Sequence, residues 1–272
     1  MRSKRIVGLW EVSGRFQITN SRKLTHDPRH RSSDIPIDMV SPDDPFANAI
    51  CSALHTSHQH LALTHGLAGK YPADIAPFAC LAENTPAALR DLHTLLAANE
   101  TTYVLGDTPP PTDALLYRGF IPCLQMAYPQ PSPLPTLNPT LPISPLTCAD
   151  APAMVALTDV AFPGFFRLRT CVMGSYFGIW NPTQSGQLIA MAGERLVLHP
   201  HREISGICTH PNHRGQGYAA ALTAHVLHHQ RNLHARSVLH VVSTNHAAIS
   251  IYHRLGFQTL REVHLHRLKR PD

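Results

Sequence analysis

Seven prolines fall between Pro129 and Pro145 (Pro129, Pro131, Pro133, Pro135, Pro139, Pro142 and Pro145). Each lacks an N–H and has a fixed φ, so the stretch can propagate neither a helix nor a central strand and should run extended as a semi-rigid connector. It divides the chain. The expected organisation is a basic, poorly ordered extension over residues 1–35, a smaller α+β companion domain over 36–128, the Pro-rich linker over 129–145, and a second domain over 141–272 that begins within the linker.

Charge bears on the first segment alone. Of a formal net charge of +5, residues 1–34 contribute eight basic against three acidic side chains, and the remainder is balanced. A nucleic-acid footprint should sit on the folded part, so the basic end argues against such a surface and reads as an appendage. No uncharged apolar run approaches the ~18 residues of a membrane span, and Met1–Trp10 lacks the apolar stretch of a secretory signal. The chain is therefore expected in the cytoplasm, with no membrane partner. Six cysteines (Cys51, Cys80, Cys123, Cys148, Cys171, Cys208) lie far apart without a C-x-x-C pair. That spacing suits buried thiols in a reducing compartment better than a disulfide frame or a zinc site.

The first part carries one strand-like alternation over Ile6–Val12. A helix follows from Pro45 to His65 on the spacing Phe46, Ile50, Leu54, Leu61, and Thr85-Pro86 opens a second as N-cap and N1. Strand-like runs come at Thr101–Leu105, Ala114–Tyr117 and Ile121–Tyr128. The second part reads as a strand at Leu141–Leu146, a helix at Cys148–Val160 opened by the capping pair Thr147 and Asp150, and a helical stretch from Pro163 toward Met173. Strands are expected at Tyr176–Trp180, Gln187–Val197, Glu203–Cys208, Ser237–Val242 and Phe257–Leu268, with helices at Gln216–Asn232 and His246–Leu255.

The most informative segment runs from Ile204 to Leu222. A strand enters a turn at Pro211-Asn212, and Arg214-Gly215-Gln216-Gly217-Tyr218-Ala219 then opens a helix. The first amides of such a helix are unpaired and lie at the positive end of its dipole, while glycines let the backbone approach an anion. This is phosphate-binding chemistry. The dinucleotide pattern is disfavoured because six residues separate Cys208 from Gly215 and no acidic residue lies between Glu203 and Glu262. The Walker pattern fails for want of a Lys-Ser/Thr after Gly217.

Arg214–Ala219 is similar to the Arg/Gln-x-x-Gly-x-Gly/Ala loop of the GNAT superfamily of N-acyltransferases, and Asn245–Phe257 resembles that family's N-x-x-A-x-x-x-Y-x-x-x-G-F segment. Ile-Ser-Gly-Ile-Cys-Thr-His-Pro most resembles the FR-type, two-part bacterial members. The resemblance covers residues 141–268 and implies a mixed α/β fold, with a mostly antiparallel sheet and flanking helices, that uses acetyl-CoA as co-substrate. It places Ile207, Cys208 and Thr209 along the pantetheine arm and the amides of Gly215, Gln216, Gly217, Tyr218 and Ala219 around the pyrophosphate, with Arg214 and Asn245 in support.

By the same resemblance Tyr252 is the expected general acid toward the departing thiolate. For the base Glu203 is the first choice, followed by Glu194 and the histidines. Cys208 is read as a packed strand residue, and no metal is expected because the histidines lack Cys or carboxylate partners at ligand spacing. The acceptor is expected to be a small-molecule or peptide amine. Two alternatives stay open: a catalytically degenerate CoA-binding protein, and a nucleic-acid-binding module that uses the basic tail.

Overall fold

The computed structural model describes residues 46–272. The basic extension with its Ile6–Val12 alternation, and the first residues of the expected companion part, lie outside them. The elements in chain order are α1 (Ala49–His55), β1 (Leu63–His65), β2 (Ala68–Lys70), β3 (Phe78–Leu81), α2 (Pro86–Leu95), β4 (Thr101–Leu105), β5 (Leu116–Ala127), β6 (Ile143–Leu146), α3 (Ala151–Ala161), β7 (Tyr176–Trp180), β8 (Leu188–Leu198), β9 (His201–Thr209), α4 (Tyr218–Asn232), β10 (Arg236–Val242), α5 (His246–Leu255) and β11 (Gln258–Lys269). Local chemistry sets several of these boundaries. The Thr85 side chain accepts from the Ala88 amide with Pro86 at N1, Thr147 and Asp150 form the reciprocal capping box ahead of α3, and Gly256 closes α5 in the left-handed region at φ 102°.

Among the described residues eleven strands form one sheet, in the order β1-β2-β3-β4-β11-β5-β10-β9-β8-β7-β6. It is mixed and mostly antiparallel; β3–β4 and β9–β10 are the parallel pairs. The prolines do not separate two sheets. The last strand, β11, lies between β4 and β5, pairing Leu265 with both Leu105 and Ile121, and β5 pairs with β10 on its other side. Both ladder partners of the twelve-residue β5 thus come from beyond the linker. The Pro-rich stretch is a strap over α4, where His228 and Arg231 bond the carbonyls of Pro135 and Ser132 at 2.8 and 3.1 Å.

The buried residues follow this continuity. One cluster joins Phe46, Ile50, Tyr71 and Phe78 of the first part to Met173, Leu196, Val238 and Leu265 of the second. Another packs α4 and α5 on the opposite face around Leu222, Val226, Tyr252 and Phe257. The first expected helix ends early, because α1 stops at His55 and the chain turns into the short strands β1 to β3. The helical stretch expected after Pro163 is a loop closed by one 3-10 turn, Thr170–Met173.

The cysteine expectation is corrected for four residues. Cys51 is bonded to Cys80 and Cys148 to Cys171, with Cα separations of 4.9 and 5.4 Å; Cys123 and Cys208 are free and buried. Both pairs meet only through tertiary folding, α1 against β3 and the turn before α3 against the 3-10 turn, so sequence spacing could not show them. The cytoplasmic expectation thereby loses its cysteine argument. No helix among the described residues is long and apolar enough to cross a membrane.

Candidate active site

Strand β9 keeps its antiparallel partner β8 as far as Ala190 opposite Thr209. Its parallel pairing with β10 ends much earlier, at Val238 opposite Glu203, while β10 continues along β5 to Val242. The two strands therefore part. Among the described residues one edge of β9 from Ile204 to Thr209 has no ladder partner, and a cavity of ≈ 140 Å³ lies in the gap, with Ser205, Ile207, His240, Asn245 and Tyr252 on its wall. The β8–β9 register slips between Met191 and Gly193, so Gly206 and Ile207 form a bulge beside the gap. Gly206 has φ +63°.

At the end of β9 the chain makes the turn Pro211–His213 and enters the glycine loop. Gly217 is the N-cap of α4 at φ 77°, and Gly215 has φ +82°. A Cβ at either would meet nothing within 4 Å, so the glycines are required for their left-handed backbone and not for room. Gly215, Gln216 and Gly217 are exposed, and the first turn of α4 carries no acidic side chain. Arg214 Nε donates to the Thr209 carbonyl at 3.4 Å, which holds the guanidinium beside the loop. The Tyr218 hydroxyl donates to Gln216 Oε1 at 2.7 Å.

Asn245 caps α5 by accepting from the Ala248 amide at 3.0 Å. Two turns on, Tyr252 is buried on the cavity wall, and desolvation raises its hydroxyl well above the ordinary tyrosine range. Burial likewise pushes the Cys208 thiol up to about 12, leaving it a packed, protonated strand residue.

Glu203 stands differently from its expected role as base. It is fully buried, and Arg195 grips both its oxygens, Nε to Oε2 at 2.9 Å and Nη2 to Oε1 at 2.5 Å. The His240 imidazole adds a contact from Nδ1 to Oε1 at 2.8 Å. Burial alone would raise its pKa; the Arg195 charge and the bonds from His240 and Arg195 outweigh it and hold the carboxyl at about 2. A carboxylate so stabilised is a poor proton acceptor. Glu194 is spent too, accepting from Arg202, the Ser175 amide and Gln230 at 3.0, 3.1 and 3.1 Å.

These contacts belong to a polar row that sequence reading missed, with one member on each of five neighbouring strands: Arg261, Gln125, His240, Glu203 and Arg195. Arg261 Nε donates to Gln125 Oε1 at 2.8 Å, which orients the amide so that its nitrogen faces His240 Nε2 at 3.0 Å. His240 then accepts at Nε2 and carries its proton on Nδ1, toward Glu203. The only available signal was Gln125 and His240 at inward positions of otherwise apolar strands. Among the described residues no group of three His, Cys, Asp or Glu side chains is placed to hold a metal ion.

Residues 160–257 match the family model described as the GNAT acetyltransferase family. No curated protein matches the chain. Among solved structures, a GNAT-family protein from Novosphingobium aromaticivorans is similar at 27% identity and TM-score 0.76, covering 85% of this chain and 100% of that one. That similarity therefore extends well upstream of the matched domain. A GCN5-related N-acetyltransferase from Kribbella flavida aligns at 17% identity and TM-score 0.53 over 83% of this chain and 96% of its own. A GCN5-related N-acetyltransferase-like protein from Streptococcus suis does so at 12% and 0.51, over 81% and 92%. At those identities the likeness is one of fold.

Proposed function

We propose that this chain, whose second part carries a GNAT acetyltransferase domain, moves an acetyl group from acetyl-CoA to the nitrogen of an amine. The parting of β9 from β10, with the glycine loop at its mouth, is the observation that carries this reading. The free edge of Ile207, Cys208 and Thr209 can pair with an amide-bearing arm as an added strand would. The exposed amides from Gly215 to Ala219 suit the pyrophosphate, with Arg214 adding charge and Asn245 holding α5 at the cavity wall. When bound, acetyl-CoA supplies a thioester as the activated acyl group.

Tyr252 acts as the general acid. Its raised pKa keeps it protonated at neutral pH, and it gives that proton to the departing sulfur as the C–S bond breaks and the N–C bond forms. No carboxylate serves as base. Glu203 instead positions His240 and Arg195, and the amine enters already neutral: among the described residues the cavity wall holds an arginine and no Asp or Glu, and such surroundings disfavour an ammonium ion. The proton lost from nitrogen returns to solvent. A CoA-binding protein without catalysis would need none of Tyr252, His240 or Arg195 on this wall.

Isothermal titration with acetyl-CoA tests the reading. Saturable binding is expected, weakened at least about tenfold by Gly217→Asp, which strains the left-handed N-cap and sets a negative charge where the phosphates go. Absence of saturable binding by the unaltered chain would overturn it.

A further inference from the structure

The cavity wall also restricts which amine can enter. Resting on the acyl-transfer reading above, we propose that the acceptor is a small primary amine with an apolar body of aromatic size, an oxygen that Arg195 can meet, and no second positive charge.

Three observations carry this. First, beyond the β9–β10 gap the wall is apolar and drawn from separate elements: Phe78 on β3, Leu105 on β4, Phe162 and Phe165 in the loop after α3, and Leu265 on β11. The rings brace one another, with Phe165 stacked on Phe78 at 5.9 Å and set against Tyr103 at 4.9 Å between centroids. A smaller cavity of ≈ 40 Å³ shares Phe78, Phe162 and Phe165 and continues to Phe166 and Met173, adding apolar depth. An aromatic or branched body would bury its surface there.

Second, among the described residues neither cavity has an Asp or Glu on its wall. The carboxylate beneath them, Glu203, has both oxygens committed to Arg195. An acceptor that keeps a second ammonium group would bury that charge without a counter-ion, next to a guanidinium, which is heavily disfavoured.

Third, Arg195 lies on the wall of both cavities with its guanidinium 4.7 Å from the centroid of Phe78. Nε and Nη2 serve Glu203, while Nη1 has no partner among the described residues. Its side chain is 22% exposed. A carboxylate or carbonyl oxygen of the acceptor would satisfy those N–H groups by charge-assisted hydrogen bonding.

The test measures thiol release by the full-length chain with acetyl-CoA and four acceptors: phenylalanine, phenethylamine, spermidine and a lysine-containing peptide. Rates are compared per concentration of free amine, and acetyl-CoA affinity is measured separately by titration calorimetry. Phenylalanine is expected to exceed phenethylamine in kcat/KM by about tenfold, the worth of one charge-assisted hydrogen bond, and both should exceed the polycationic acceptors by more. Phe165→Ala, with Phe162→Ala as a second variant, should raise KM for phenylalanine about tenfold and leave acetyl-CoA affinity within twofold. Preference for spermidine or the lysine peptide, equal use of phenylalanine and phenethylamine, or variants that change all acceptors alike would overturn the proposal. If acetyl-CoA binds normally and the aromatic amines stay unacetylated, this inference alone fails; if acetyl-CoA does not bind, the acyl-transfer reading fails with it.

Discussion

The glycine loop and the acceptor cavity are neighbours built on opposite principles. The loop is one contiguous segment, exposed, with glycines whose missing Cβ atoms face open space. What it offers is backbone geometry. The cavity is assembled from strands and loops on both sides of the Pro-rich strap, and beneath it lie an ion pair and a polar row buried across five strands. What it offers is tertiary packing. Changes in the loop should therefore alter affinity and spare stability, whereas changes beneath the cavity should alter stability and chemistry together.

The largest effect is expected on the cavity wall, at Tyr252. Tyr252→Phe removes the proton donor and keeps the ring that packs near Phe257, whose centroid is 6.0 Å away. Turnover should fall by roughly 10²–10⁴, with acetyl-CoA affinity within twofold. Unchanged turnover would assign the acid elsewhere and leave Tyr252 as a core residue.

Next comes Glu203→Gln. Removing one partner leaves Arg195 as an uncompensated charge, which costs about 3–5 kcal/mol and should appear as a loss of unfolding free energy in urea. The pH dependence carries the same information. The carboxyl sits at about 2 in the folded chain against an ordinary 4.5, so its stabilisation is complete above pH 4.5 and is lost as pH falls toward 2. In the variant that dependence should vanish. A variant that keeps full stability and loses only turnover would restore Glu203 to the role of base.

What was legible in the sequence divides along the same line. The glycine loop, the Asn245 and Gly256 caps and the Tyr252 segment are each specified by residues within one or two helical turns, and the structure places them on the elements expected: α4, and α5 from His246 to Leu255. From the sequence, Glu203 at the start of its strand is the first choice for the base. Its partner Arg195 lies eight residues upstream on β8, and the slipped register between Glu194 and Val197 that brings them together has no local signature. The aromatic wall escaped for the same reason. Phe78 lies more than eighty residues from Phe162 and Phe165 in the chain, and only the insertion of β11 between β4 and β5 closes the two parts into one sheet around them.

A third prediction tests how firmly those parts are joined. His58, just beyond α1, is buried with Nδ1 2.9 Å from the Tyr71 hydroxyl, and burial lowers its pKa from 6.5 to about 4. The unfolded chain therefore takes up the proton first. Stability from this group is complete above pH 6.5 and falls by roughly 3 kcal/mol as pH drops to 4. Urea unfolding at pH 7.5, 6 and 5 should show the decline, and His58→Asn should flatten it. A decline that persists in the variant would place the sensitive group elsewhere.

The smallest effect belongs to the loop and is the sharpest probe of its independence. Gly215→Ala adds a methyl that touches nothing within 4 Å, but at φ +82°. The cost is backbone strain alone, about 1–2 kcal/mol. Because the loop is exposed and packs little, the chain can relieve that strain by shifting Gly215 out of its left-handed conformation at almost no expense to the fold. The amides would then leave their anion-binding arrangement, so the strain should emerge as a roughly tenfold weaker acetyl-CoA affinity with unfolding free energy unchanged. If stability fell instead and affinity held, the loop would be rigid and coupled to the core, and the separation between the two regions would break at the point where it looks cleanest.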